Sequence, residues 1–295
     1  MNVTVAPVGI DPVGARKSTA PDPPHLDLSF RRHPTLGTWL DRRLYRWPYT
    51  LSRGFRAPDG SLALILQTVS GAIQADDHLT QRIQVGPGAA VHIATQGAMP
   101  VYRAPAAMMA RDDVILEVED HGRITYRPDL RILFPEASLS QRISVRLTAS
   151  ATAIIADGFV MHDPDGIDRP FHNYRSELLV QRADGRLLAL DRTALAAPPR
   201  GLGRRAVYAA FGTLVIAAPR RAAWVEALGA DIDGRMRQIQ GVYAAVSALP
   251  NGAGAALRVA ALDGRHLRLG LRAGECAARR HLFAPPHAGY MTQPT

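Results

Sequence analysis

A mainly β fold, with strand layers stacked in an antiparallel or solenoid-like way and a small helical C-terminal portion, is what this sequence predicts. Three observations lead there. Its apolar runs are short and bounded by turn signals such as Gly-Pro-Gly, His-Gly and Asp-Gly. Several alternate apolar and polar residues with the period of two that a half-buried strand requires. Stretches with helical period are few.

The elements come in order. Residues 1–24 are proline-rich without helical period, and read as a disordered leader. Ordered structure is expected from Leu26, in "HLDLSFRR", as one β domain over 25–284, with 285–295 as a flexible tail. "SLALILQTV" (61–69) is a strand-sized apolar run. "LTQRIQV" (79–85) alternates, although Gln81 breaks its apolar side; Gly-Pro-Gly (86–88) then turns the chain into "AAVHIAT" (89–95). "DVILEVED" turns at His121-Gly122 into "RITY". "ELLVQR" turns through Ala183-Asp184-Gly185 into "RLLALDR", a strong hairpin signal. "ALRVAALDGRHLRLGLR" (256–272) is expected to be another hairpin with Asp-Gly at its tip. Helices are expected in "PRRAAWVEALG" (219–229), which begins at a proline and ends at a glycine, and in "GRMRQIQGVYAAVSAL" (234–249).

"LTQRIQV" and "LSQRISV" (139–145) match at five of seven positions. Stacked copies of one β unit explain such a repeat, because a lone hairpin cannot bury its own apolar face. Two unrelated amphipathic strands are the alternative.

With 295 residues, 47% hydrophobic and 21% charged, the chain suits a soluble globular protein. The formal charge is +9 and Lys17 is the only lysine. The arginines are scattered through strand-like segments without the stacked aromatics of a single-strand binder, which argues against nucleic acid and for a protein partner. Cys276 alone cannot form an intramolecular disulfide or a zinc site, so the cytoplasm is the expected compartment. No secretory signal is apparent, and "AVYAAFGTLVIAA" (206–218) is too short to span a bilayer, so no membrane role is expected.

No enzyme signature stands up. G-x-S-x-G, a Walker loop and H-E-x-x-H are missing from the sequence. Gly201, Gly203 and Gly212 lack the strand–glycine–helix context of a dinucleotide site. Cys276, beside Glu275 and near Arg279, has no evident base to make it a nucleophile. Asp76, Asp77 and His78 are consecutive, so on a strand at most two share a face; a turn-stabilising role is the other reading. "MHDPDGIDRPFH" (161–172) begins like a calcium loop with Asp163, Asp165, Gly166 and Asp168. The twelfth position is Tyr174 instead of a bidentate glutamate, so that motif fails. Pro164, Gly166 and Pro170 point to an irregular exposed connection, with metal contact by His162 as the alternative.

Taken in order, these segments resemble the urease accessory protein family UreD, also called UreH, from about Leu62 to Phe283. The family's Gly-Gly-x-x-Gly-Gly-Asp-x-Leu block reads "GAIQADDHL" here, keeping Gly71, Asp77 and Leu79. "ATQGAMPVYR" (94–103) keeps Thr95, Gln96, Tyr102 and Arg103 of a second block, and "PDLRILF" (128–134) carries a third, ending at Phe134. The late "GVYAAVSALPNGAGAALRV" looks like the family's glycine–valine–serine–leucine–proline segment. Ala72, Ala75 and Asp76 depart from usual glycines, and Pro100 from a common lysine.

The resemblance implies a non-enzymatic maturation factor that binds apo-urease and UreF, and the GTPase UreG through UreF. It implies no tightly bound cofactor and a transient Ni²⁺ on its way to the urease active site. An ion in transit needs few, weak, oxygen-rich ligands at each point. Asp77, Thr95, Gln96, Glu136, Asp157 and His162 are the transit candidates, on the motif of one polar residue per strand end. Two other classes stay open: a metal-dependent hydrolase using His162, Asp163, Asp165 and His172, and a protein-binding scaffold without a metal role.

Overall fold

Strand succeeds strand from the first described residues. The computed structural model describes residues 23–105, 107–167, 169–196, 208–218 and 222–283. Apart from Pro23 and Pro24, the expected leader lies outside these, and so does the whole of the expected tail. In chain order the strands are β1 (Leu26–His33), β2 (Gly37–Tyr45), β3 (Tyr49–Leu51), β4 (Phe55–Arg56), β5 (Leu62–Thr68), β6 (His78–Val85), β7 (Ala90–Thr95), β8 (Met99–Val101) and β9 (Ala110–Val118). They continue with β10 (Arg123–Arg127), β11 (Arg131–Leu133), β12 (Ser138–Leu147), β13 (Thr152–Met161), β14 (Asn173–Arg182), β15 (Leu187–Leu195) and β16 (Ala210–Ala217). Helix α1 (Ala222–Met236), β17 (Val242–Ala248), β18 (Gly254–Ala261) and helix α2 (Gly264–Phe283) complete the series.

Two sheets face each other. A seven-stranded sheet runs β15-β14-β12-β9-β6-β1-β2, and an eleven-stranded one runs β17-β18-β16-β13-β10-β7-β5-β3 with β4, β8 and β11 attached beside it. In the middle of both, neighbours are parallel: β1, β6, β9, β12 and β14 in one sheet, and β5, β7, β10 and β13 in the other. Each turn of chain therefore lays one strand in each sheet and rises to the next level, which is the solenoid-like stacking expected. Antiparallel strands close the ends, including the predicted β14–β15 hairpin. The Gly-Pro-Gly and His121-Gly122 turns are corners that pass the chain between sheets. They stack by backbone bonds such as Gly88 N–H to the Asp120 carbonyl (2.8 Å) and Thr152 N–H to the Gly122 carbonyl (3.0 Å).

The sequence pattern reflects which faces are covered. In β12 and β9 inward residues alternate with exposed ones, because one face of the smaller sheet meets water. Its solvent face carries ion pairs such as Arg82–Glu117 (3.0 Å) and Arg192–Glu177 (2.6 Å). In β13 the run Thr152–Ala156 is buried throughout, since the larger sheet is covered on both faces. Its inner face joins the main core with Leu28, Ile83, Leu116 and Ile155. On its outer face Ile154, Leu214, Ile216, Leu257 and Val259 pack against α1 and α2 through Leu228, Ile232, Leu267 and Leu271.

Two expectations about the C-terminal third are corrected. The helix expected over 234–249 is not formed: α1 ends at Met236, and Val242–Ala248 is an edge strand paired antiparallel with β18. Gly241, at φ +77, leads the chain from the turn after α1 into that strand, in a conformation that disfavours a side chain. The hairpin expected over 256–272 is also replaced. Asp263-Gly264 starts α2, with the Asp263 carboxylate accepting from the His266 N–H at 2.9 Å, as an N-terminal helix cap does. The helix expected over 219–229 is present as α1, extended to Met236; residues 219–221 lie outside those described.

Candidate functional site

The corner of the solenoid away from the glycine turns gathers loops from four successive levels. Gln74, Tyr102, Arg103, Phe134, Glu136, Pro164 and Arg169 line a cleft of about 490 Å³ there. Bridges Ile73–Val101 and Arg103–Ala137 tie the levels together. Three rings form an edge-to-face series: Tyr102 to Phe134 at 5.2 Å and Phe134 to His162 at 5.1 Å. Asp77 accepts the Gln74 N–H at 2.8 Å and so braces the turn that brings Gln74 into the cleft. Leu79 is buried in the core beneath, and Gly71 holds φ +66 at the start of the turn. Glu136 is exposed at φ +63, its carbonyl accepting from the Ala104 N–H at 3.0 Å.

Thr95 ends β7 and Gln96 follows it, away from this cleft. The Thr95 hydroxyl accepts the Asp129 N–H at 2.7 Å, and the Gln96 side-chain carbonyl accepts from Gln67. Neither lines that cleft.

Asp157 belongs to a different place. Where the two sheets part, β14 and β15 on one side and β13, β16, β17 and β18 on the other enclose a cleft of about 430 Å³ with Asp157, Tyr174 and Ser176 in its lining. Phe159, Phe211 and Tyr243 add aromatic walls. From Asp157 a line of polar side chains runs into the space between the sheets. The Ser176 hydroxyl donates to Asp157 at 2.7 Å, and the Gln141 amide donates to Asp157 and to Ser176. The Gln141 carbonyl accepts from Arg131 Nε at 3.5 Å; Arg131 is ion-paired with Asp112. Asp112 accepts from the Gln81 amide at 3.4 Å, and the Tyr126 hydroxyl donates to Gln81 at 3.2 Å.

This line is costly to bury, so its electrostatics are informative. Burial pushes the Asp112 carboxyl up, while Arg131 and the Gln81 bond oppose that shift. Burial presses on Arg131 in the other direction, but Asp112 beside it wins and raises its affinity for the proton. Tyr126 is held protonated, its hydroxyl pushed well above the usual phenol range by burial and then by Asp112, so it serves as a donor.

The loops in the corner cleft carry the sequence blocks picked out above, now side by side in space. A family model described as "UreD urease accessory protein" matches residues 23–289. The chain belongs to the UreD family. Among curated relatives, it is 43% identical over 269 residues to urease accessory protein UreD 2 of Bradyrhizobium sp. (strain ORS 278), covering 88% of this chain and 91% of that protein. It is 42% identical to UreD 2 of Bradyrhizobium sp. (strain BTAi1 / ATCC BAA-1182), over 87% of this chain and 89% of the relative. Against UreD of Mycolicibacterium smegmatis (strain ATCC 700084 / mc(2)155) the identity is 35%, covering 83% and 87%. Family membership gives the chain a role in urease maturation.

In this UreD chain the histidine–aspartate loop is held by an arginine. Arg169 pairs with Asp163 at 2.8 Å and with Asp165, and its backbone N–H also reaches Asp163 at 2.9 Å. These bonds hold the Asp163 carboxyl well below the usual carboxylate range. Asp168 lies outside the described residues. His162 and His172 are both exposed, and among the described residues no group of three His, Cys, Asp or Glu side chains is arranged to hold a metal ion. His78 pairs with Asp113 of the neighbouring level at 2.7 Å, while Asp77 turns to the Gln74 N–H. No helix of the described residues is long and apolar enough to cross a membrane.

The interior line shows in the sequence only as polar residues at inward positions of three strands. Gln81 interrupts the apolar side of its strand, and an inward polar residue of that kind signals a buried partner. Asp112 and Gln141 occupy the same inward phase in β9 and β12: Leu79, Asp112 and Gln141 are level across the sheet. Arg131 and Ser176 carry no comparable signal.

Proposed function

We propose that this UreD chain helps pass Ni²⁺ into apo-urease, assembled in the cytoplasm with UreF and, through UreF, with the GTPase UreG, and that it performs no chemistry of its own. The observation that supports this reading is the unbroken polar line from the cleft at Asp157 to Tyr126. A protein that needed only stability is served as well or better by apolar packing at such positions. Two carboxylates and one guanidinium leave the line with excess negative charge, which suits a cation. Its neutral members offer weak oxygen ligands, as an ion that must leave again requires.

The void beside Asp112, Arg131, Gln141 and Asp157 is only about 10 Å³. That is about the room one water needs. A hydrated ion does not fit, so transit requires Gln141 and its neighbours to move, and partner binding is the natural trigger.

The test is Asp157→Asn, which keeps the size of the side chain and removes its charge. Urease purified from the host carrying this variant is expected to be nickel-poor, while urease and UreF still co-purify with the variant. Fully nickel-loaded urease would sink the interior route. Asp77→Ala combined with Glu136→Ala examines the corner cleft instead, where His162 also lies; nickel-poor urease from that variant alone moves the route there.

A further inference from the structure

On the outer face of the larger sheet, away from both clefts above, the last turn of α2 overhangs β7 and β10. A cleft of about 270 Å³ lies beneath it, lined by His92, Arg123, Thr125, Arg279, Arg280 and Phe283, with Asp59 at its edge. The parallel register sets Arg123 level with Ala90 and Thr125 level with His92, so these residues share one face. We propose that this cleft binds a small oxyanion of the phosphate class.

The charges decide the ligand. Three guanidiniums line the cleft against one carboxylate. Arg280 is neutralised by Asp231 at 2.6 Å, and Arg279 reaches Glu275 only at 3.9 Å, a carboxylate that Arg127 holds more closely at 3.0 Å. Arg123 has no ion-pair partner within 4.0 Å among the described residues; its guanidinium lies 4.8 Å from the Phe283 ring centroid. Arg279 and His92 are in contact at 3.1 Å. A neutral His92 accepts there from Arg279, and burial followed by Arg279 keeps it neutral, its pKa pushed down to about 4. Asp59 is already engaged by the Ser61 hydroxyl at 2.6 Å and the Ser61 N–H at 3.0 Å. The C-terminal carbonyls of α2 work against an anion. Their effect amounts to about half a negative charge, less than the unpaired charge of Arg123 alone. Arginine is also suited to the work, since its planar fork matches phosphate oxygens two at a time.

Calorimetry of the full chain with inorganic phosphate, against chloride at equal ionic strength, tests the site. One saturable phosphate per chain is expected. Arg123→Gln should weaken it roughly tenfold or more, the value of one charge-assisted hydrogen bond. Arg186→Gln removes the same charge at the tip of the β14–β15 turn and should leave binding unchanged. The His92 ring resonances should shift on adding phosphate to the unaltered chain, a readout that needs no variant to fold. No saturable binding, or equal weakening by the two substitutions, would overturn the proposal, since a general positive field then explains any attraction.

Discussion

Arg131 and Asp112 are ion-paired between the two sheets, with side chains only 9% and 2% exposed. Removing one member leaves an uncompensated charge in the core. Asp112→Ala should therefore cost about 3–5 kcal/mol, read as a lowered midpoint in denaturant unfolding. The double variant Asp112→Ala with Arg131→Met should lose less than Asp112→Ala alone, because no buried charge remains. A double variant at least as unstable as the single one would show that the pair's hydrogen bonds to Gln81 and Gln141, and not the lone charge, dominate.

The same small substitution should have opposite signs on the two helices. A methyl group at Gly274 of α2 would lie 2.3 Å from a Leu257 methyl and 3.2 Å from one of Leu214, both in the buried layer under the helix. Gly274→Ala should destabilise by about 1–3 kcal/mol through overpacking. Gly234 of α1 has nothing within 4 Å of its added methyl. Gly234→Ala should stabilise by about 0.5–1 kcal/mol, the ordinary helical preference of alanine. Thermal unfolding of the two variants measures both.

The strands are legible in the sequence because a period of two fixes which residues point inward, whatever they pair with. Their partners are not. "LTQRIQV" and "LSQRISV" do stack in one sheet, but with β9 between them and offset so that Gln81 is level with Ile143 through Val114. Nothing local in either segment states that offset. Asp263-Gly264 is ambiguous taken alone, because one dipeptide serves both a hairpin tip and a helix start; the 20-residue helix it opens is what distinguishes the two. "VYAAVSA" is a strand through its pairing with β18 more than through its own composition. The corner cleft is accessible in part, since Asp77, Glu136, Tyr102, Arg103 and Phe134 stand in or beside recognisable blocks. The pairing within the interior line is not, because Asp112 and Arg131 meet only after the chain has crossed from one sheet to the other.

Arg169→Ala should release Asp163. With the guanidinium gone, the Asp163 carboxyl is expected to titrate closer to the ordinary aspartate range, and carbon-detected NMR of its carboxyl resonance will show this. The depressed folded-state value means that the interaction contributes above the unfolded pKa and is lost as pH falls through the folded one. Because the loop is exposed, global stability at neutral pH should change little. A marked drop in the unfolding midpoint would mean that the loop supports the cleft beside Glu136.

His92 gives the clearest pH dependence. Burial, then Arg279, lowers its pKa from 6.5 to about 4 in the folded chain. On acidification the unfolded chain takes up this proton first, so folding loses stability as pH falls from about 6.5 toward 4, and this group contributes no further loss below. The His92 ring should accordingly show no titration between about pH 7 and 5 by NMR, while a denatured sample does. His92→Phe should flatten that portion of the stability curve. Arg279→Met should raise the pKa only in part, because burial remains the larger cause. A full return to the unfolded value in Arg279→Met would instead mean that water enters the cleft once the guanidinium is gone, and that Arg279 seals the site as well as charging it.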